Sequence, residues 1–182
     1  MKKIIVTITV AILLLLAAPT SYAKDEIAAS SAALISHVEG DTEDNRVTHL
    51  TEYLKTKNSP LVDSAATFVQ EADKYQLDWK FVAAISGLES SFGKHIPAYS
   101  YNGWGWGVYG DNVMRFSSWD EAISTISQGL RENYINKGAT DIDSIGKRYA
   151  ASPTWAQRVS YFMREIERFE KKITTNTLSL SI

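Results

Sequence analysis

From Arg46 onward, apolar side chains recur at the three- and four-residue intervals that a helix lines up on one face. Val47, Leu50 and Leu54 form the first such stripe, and Asn58-Ser59-Pro60 interrupts it. That break predicts a second helix with Ser59 as N-cap and Pro60 at its first position. Its stripe is Leu61, Ala65, Phe68, Ala72 and Tyr75. Asp78 can cap a third helix that turns Phe81, Val82, Ile85 and Leu88 inward and ends between Glu89 and Phe92, with Gly93 as C-cap residue. Between Gly93 and Arg115, glycine, proline and aromatic residues exclude a long helix and predict a loop or a short β-hairpin around Trp106 to Phe116. Ser118-Trp119-Asp120-Glu121 has the Ser-x-x-Glu pattern of a capping box. Trp119, Ile123, Ile126, Leu130 and Tyr134 continue behind it at helical spacing. Thr140 to Tyr149 reads as a shorter helix. Ser152-Pro153 opens the last one, with Trp155, Val159, Phe162, Ile166 and Phe169 on one face. The Thr/Ser/Leu-rich segment 173–182 reads as a loosely held tail.

The first residues follow a different rule. Met1-Lys2-Lys3 is a short basic stretch, Ile4 to Ala18 carries no charge, and Ser21-Tyr22-Ala23 offers the small residues a signal peptidase needs. Residues 1–23 are therefore read as an export signal, which places the protein in the periplasm, outside the cell or in the wall. Residues 24–45 read as a weak helix and linker, and 46–172 as one domain. No later segment is apolar enough to span a bilayer.

Composition narrows the chemistry. The 182 residues contain no cysteine, which excludes disulfides, thiolate metal sites and a Cys nucleophile. The net charge is −2 and basic residues are scattered, so nothing points to nucleic acid. The three histidines, at 37, 49 and 95, lie too far apart for a metal-binding spacing. No Gly-x-Ser-x-Gly elbow is present. Gly105, Gly107 and Gly110 match a dinucleotide-binding spacing, but Trp104 and Trp106 crowd the loop and no helix follows. What is left is Glu89, a lone carboxylate at an apolar helix end, followed by a loop rich in Trp, Tyr and Gly. General-acid cleavage of a glycosidic bond needs a carboxyl group partly buried against apolar groups. Flat rings such as Tyr99, Tyr101, Trp104, Trp106 and Tyr109 can stack on sugars. Gly103, Gly105 and Gly107 would let the backbone approach a ligand. The same residues equally suit tryptophans that plug the core beside a solvated helix end.

"AAISGLESSFG", then "YNGWGWGVYG", then "YAASPTWAQRV" together resemble the lysozyme-like superfamily of bacterial cell-wall glycosidases. They are most similar to its glucosaminidase and lytic transglycosylase branches, over roughly residues 59–167. The resemblance implies a mainly α fold, a single lysozyme-like domain with a short aromatic and Gly-rich loop or β-hairpin insert. It implies that Glu89, in the Glu89-Ser90 pair, is the general acid. Asn102, Trp104 and Gly105 match an Asn followed by an aromatic-Gly pair. Tyr149, Ala150, Pro153 and Trp155 match a late motif whose tyrosine lines the cleft. Ser90, Asn102 and Tyr149 would orient the glutamate or stabilise positive charge on the sugar. The chain departs from the transglycosylases in lacking their Gly-Leu-x-Gln block, and its loop is shorter and richer in Trp than in the glucosaminidases. Asp111 is the candidate second carboxylate and is also readable as a turn residue. The implied function is cleavage of peptidoglycan glycan strands without metal or organic cofactor, by hydrolysis or by anhydro-forming transglycosylation. Two alternatives are a glycan-binding or scaffold protein that kept the fold, and a module whose aromatic loop binds another protein.

Overall fold

Each segment whose apolar positions keep helical spacing is a helix in the computed structural model, which describes residues 44–107 and 112–180. The helices are α1 (Asn45–Thr56), α2 (Ala65–Tyr75), α3 (Phe81–Ser90), α4 (Trp119–Asn133), α5 (Ile142–Tyr149) and α6 (Trp155–Leu180). Short 3-10 turns lie at Val62–Ser64 and Ile135–Lys137. The expected signal at 1–23, the linker up to Glu43, and both Tyr109 and Asp111 lie outside the described residues. No helix among the described residues is long and apolar enough to cross a membrane.

Local chemistry explains most of the boundaries, and three differ from expectation. Ser118 Oγ accepts the Glu121 N–H at 3.1 Å, but the Glu121 carboxylate takes the N–H and hydroxyl of Ser117, so the box closes one residue upstream. Ser59 does not cap α2, which begins only at Ala65 behind a 3-10 turn with Leu61 at its N-cap position. The Ser59 hydroxyl accepts the Leu61 N–H at 3.0 Å and donates to the Phe92 carbonyl at 2.8 Å, so it joins two segments instead of starting one. The expected tail is helical, because α6 runs on to Leu180. Thr175 Oγ1 donates back to the Lys171 carbonyl at 2.9 Å in that last part. Of the two forms expected for the aromatic insert, the described residues take the loop, with no strand in it.

The fold is built around α3. Its residues from Phe81 to Gly87 are all buried, leaving only Leu88 partly covered and Glu89 exposed before Ser90 is buried again. A helix apolar on every side has to sit inside others. Here α3 packs on α6 while α2 packs on α4. It stops abruptly, because Ser91, Phe92 and Gly93 take left-handed φ values of 53°, 60° and 80°. The Phe92 N–H closes the end on the Ser86 carbonyl at 3.0 Å. The Phe92 ring then folds over Gly87, where a Cβ would stand 2.6 Å from it. This termination brings Glu89 to the surface in the last turn of an otherwise buried helix. A carboxylate there faces the negative end of the helix dipole, so local electrostatics does not account for its presence.

Candidate active site

Glu89 is exposed, contrary to the expectation of a carboxyl sunk among apolar groups. One of its oxygens is nevertheless fixed: Oε1 accepts the indole N–H of Trp155 at 2.8 Å. Trp155 is 3% exposed and opens α6, with its ring laid over Gly146 of α5, where a Cβ would stand 2.9 Å away. The Trp155 ring stacks on Tyr149 at 4.7 Å and 27°. The Tyr149 hydroxyl in turn donates to the Trp104 carbonyl at 2.8 Å. Burial first, and the negative charge of Glu89 second, push the Tyr149 hydroxyl well above its ordinary range, so it stays a neutral donor. The ends of α3, α5 and α6 and the aromatic loop thus converge on one carboxylate.

The loop is framed by Asn102, which is 3% exposed. Its Oδ1 accepts the Trp106 N–H at 3.0 Å, and its Nδ2 donates to the carbonyls of Trp106 at 2.7 Å and Met114 at 3.0 Å. Ser90 is also buried. Its hydroxyl accepts the Gly93 N–H at 2.8 Å and lies 2.8 Å from the Gly103 carbonyl, tying α3 to the loop. Both residues therefore hold the scaffold rather than face a ligand. Trp104, expected as a sugar platform, is 0% exposed. It donates its indole N–H to the Val82 carbonyl at 2.9 Å and packs near Phe68 and Trp119, which takes its ring out of any cleft.

Trp106 is the ring that lines open space. It lies against bare backbone at Gly129 of α4, where a Cβ would be 2.3 Å from the indole, and near Tyr134 and Tyr149. Between the two tryptophans, Gly105 takes φ +64°, which an L side chain rarely adopts. A Cβ on it would stand 4.0 Å from Glu89 Oε2, so loop backbone passes beside the free carboxylate oxygen. Tyr101 packs edge-on against Trp119 at 5.3 Å, and Tyr99 is 91% exposed. Neither lines the clefts at Glu89.

Two clefts flank this cluster. One of about 610 Å³ is lined by Gly105, Trp106, Met114, Tyr134, Arg148 and Tyr149 among others. The second, about 270 Å³, contains Glu89 itself with Leu88, Ala150, Ser152, Trp155 and Arg158. A third of about 490 Å³ shares Ala150, Ala151 and Ser152 with it but turns away between α5 and α6 and has no aromatic lining. Among the described residues lining the two flanking clefts, Glu89 is the one carboxylate. The sequence marks Trp155 only as part of the last helix's apolar stripe and of the late motif. Nothing in its spacing signals the hydrogen bond to Glu89, and nothing in the sequence singles out Arg158.

If Asn102 frames the loop, Asn102→Ala leaves the Trp106 N–H and two carbonyls without partners. It is expected to cost about 2–4 kcal/mol, read by denaturant unfolding together with loss of near-UV tryptophan dichroism. An unchanged midpoint would mean that the loop is framed by other contacts.

Solved structures of autolysin E from S. aureus share this architecture. The catalytic mutant in complex with the disaccharide NAG-NAM superposes with a TM-score of 0.57 at 18% identity, covering 67% of this chain and 66% of that one. The complex with the muropeptide NAM-L-Ala-D-iGlu gives 0.56 over the same shares. This chain has the lysozyme-like fold. It spans just under two thirds of the autolysin chains. In sequence, the chain is similar to two Streptococcus pneumoniae proteins, of strains TIGR4 and R6, provisionally named endo-beta-N-acetylglucosaminidase. Each is 27% identical over 122 residues, 62% of this chain, and the chain spans only 18% and 17% of their lengths. No family model matches the sequence.

Proposed function

We propose that this protein is an exported glycosidase that cuts peptidoglycan glycan strands, of the endo-glucosaminidase or lytic transglycosylase type, with Glu89 as its single general acid and base. The observation that carries this reading is the hydrogen bond from Trp155 to Glu89, which fixes an exposed carboxylate between two clefts. The autolysin E complexes with NAG-NAM and a muropeptide, and the names of the pneumococcal relatives, support the substrate class.

In the proposed reaction a glycan strand lies across the Glu89 cluster with a sugar against Trp106. Glu89 Oε2, the oxygen that Trp155 does not hold, carries the proton and delivers it to the leaving glycosidic oxygen as the C–O bond breaks. The resulting positive charge on the sugar is met by the Glu89 carboxylate. That carboxylate then takes a proton from the attacking hydroxyl. If the attacker is water, the product has a reducing end; if it is the sugar's own hydroxyl, the product is an anhydro sugar. Asp111 is the residue proposed to supply a second carboxylate if the hydrolytic route uses one.

A non-catalytic glycan-binding role has one observation in its favour. Ser90, Asn102 and Trp104, the residues that carry much of the sequence resemblance, are all buried scaffold, so they would be kept by a protein that lost the chemistry. Mass spectrometry of purified peptidoglycan incubated with the protein separates the two. New muropeptides support the glycosidase, their termini identify the bond and the route, and retained binding without products supports the alternative.

Trp155→Phe probes the carboxylate's anchor. It removes the indole N–H but keeps most of the ring that stacks on Tyr149. A roughly tenfold fall in kcat with KM within about twofold is expected. A kcat equal to the parent's would show that Glu89 is positioned by something else.

A further inference from the structure

We propose that Arg158 binds a carboxylate carried by the substrate, so that the cleft at Glu89 selects anionic muramyl strands over neutral glycans of the same backbone. This inference rests on the glycosidase reading above and adds the group that the cleft recognises.

Arg158 stands three residues after Trp155 on α6, one turn along the same face, and lines the same 270 Å³ cleft as Glu89. Its guanidinium has no hydrogen bond or ion pair among the described residues. Arg46 is engaged by Asp44 and Asp73, Arg115 by Ala98, Arg131 by Tyr75 and Gln76, and Arg148 by Lys137. Arg164 and Arg168 of α6 share the lack of a side-chain hydrogen bond or ion pair among the described residues but line no cleft with Glu89, so it is the position of Arg158 that sets it apart. Arg158 also makes no ion pair with Glu89, the one carboxylate that shares its cleft. That separation matters chemically, because a guanidinium bound to a general acid would hold it in the ionised form and prevent proton delivery. The cleft thus presents an unused, planar, five-donor cation beside the reacting group without disabling it.

The fork of a guanidinium matches a carboxylate bidentately, and such charge-assisted pairs are about twice as strong as neutral hydrogen bonds. A glycan of unsubstituted N-acetylglucosamine has no group to fill that position. Muramic acid does. Its lactyl ether ends in a free carboxylate in strands stripped of peptide, and in intact wall the attached stem peptide carries carboxylates of its own. The protein as a whole is acidic, with net charge −2, so attraction of an anionic polymer has to come from local cations of this kind.

The test measures kinetics of the parent, Arg158→Gln and Arg158→Lys on three substrates: neutral chitotetraose, peptide-free glycan strands and peptide-bearing strands. Calorimetric binding of the same three to Glu89→Gln, with and without Arg158→Gln, runs in parallel. Arg158→Gln is expected to raise KM and Kd for the anionic strands about tenfold, leaving kcat and every chitotetraose value unchanged, with Arg158→Lys intermediate. An effect on peptide-free strands identifies the lactyl carboxylate, and an effect confined to peptide-bearing strands identifies the stem peptide. Equal losses on neutral and anionic substrates would mean that Arg158 acts through Glu89 or the fold, and no loss on any would leave it a solvated side chain; either overturns the proposal. If the parent cleaves nothing, the glycosidase reading has failed. The calorimetric comparison still decides, because a selective loss of anionic binding upholds the assignment of Arg158 and its absence refutes it.

Discussion

Glu89→Gln is expected to lower peptidoglycan turnover by about a hundred- to ten-thousandfold, the usual contribution of a positioned general acid. Glutamine has the shape of glutamate, and its carbonyl oxygen can still accept the Trp155 N–H, so the hydrogen bond that locates the side chain survives. What it lacks is a proton to give the leaving oxygen. Because Glu89 is exposed, the exchange buries no unsatisfied group and should change stability by no more than about 0.5 kcal/mol. Turnover is read from muropeptide release and stability from thermal unfolding of the same preparation. Muropeptide release at a tenth of the parent rate or more would remove Glu89 from the chemistry. A large fall in melting temperature would move its role to the fold.

Trp104→Ala is expected to have the largest effect on stability, a loss of about 3–5 kcal/mol. The side chain is 0% exposed, is the largest of the fully buried ones, and is fastened to α3 through the Val82 carbonyl. Its backbone also receives the Tyr149 hydroxyl, so a collapse here would loosen the Trp155–Tyr149 stack beneath Glu89. For a domain of this size the loss corresponds to a fall in melting temperature of roughly 10–20 °C. Trp104→Phe, which keeps part of the volume, should recover a portion of it. If Trp104→Ala instead kept its melting temperature and lost glycan affinity, the ring would belong to the cleft. Trp106→Ala would make a useful partner in the same series, since its ring lines open space beside Gly105.

The helices were legible because their determinants are local. Hydrogen bonds between residues four apart, apolar spacing near 3.6 and caps such as Ser118 and Asp141 act within a few residues of one another. The same locality put Glu89 in the last turn of an apolar helix, and three short blocks in order were enough to indicate the lysozyme-like fold. At Ser59 a long-range partner intervened, whereas the shifted capping box and the longer α6 rest on local bonds. Ser59 bonds Phe92 across 33 residues of sequence instead of simply starting α2.

The site itself was legible only in its central residue. Trp104 and Trp106 sit two apart in a run of alternating Gly and Trp, and no periodicity distinguishes them. Their fates diverge because Asn102 and the left-handed Gly105 set the loop's path, sending one indole under α3 and the other onto bare backbone at Gly129. The partner of Glu89 lies 66 residues away, and Arg158 gains meaning only from the cleft they share. By itself, then, the sequence determined the helices, the cap at Ser118 and the candidate acid, since those depend on neighbouring residues. Tertiary structure alone decided which rings face a ligand, what holds the carboxylate and which cation stands unpaired beside it, because each of these is a contact between segments that only packing brings together.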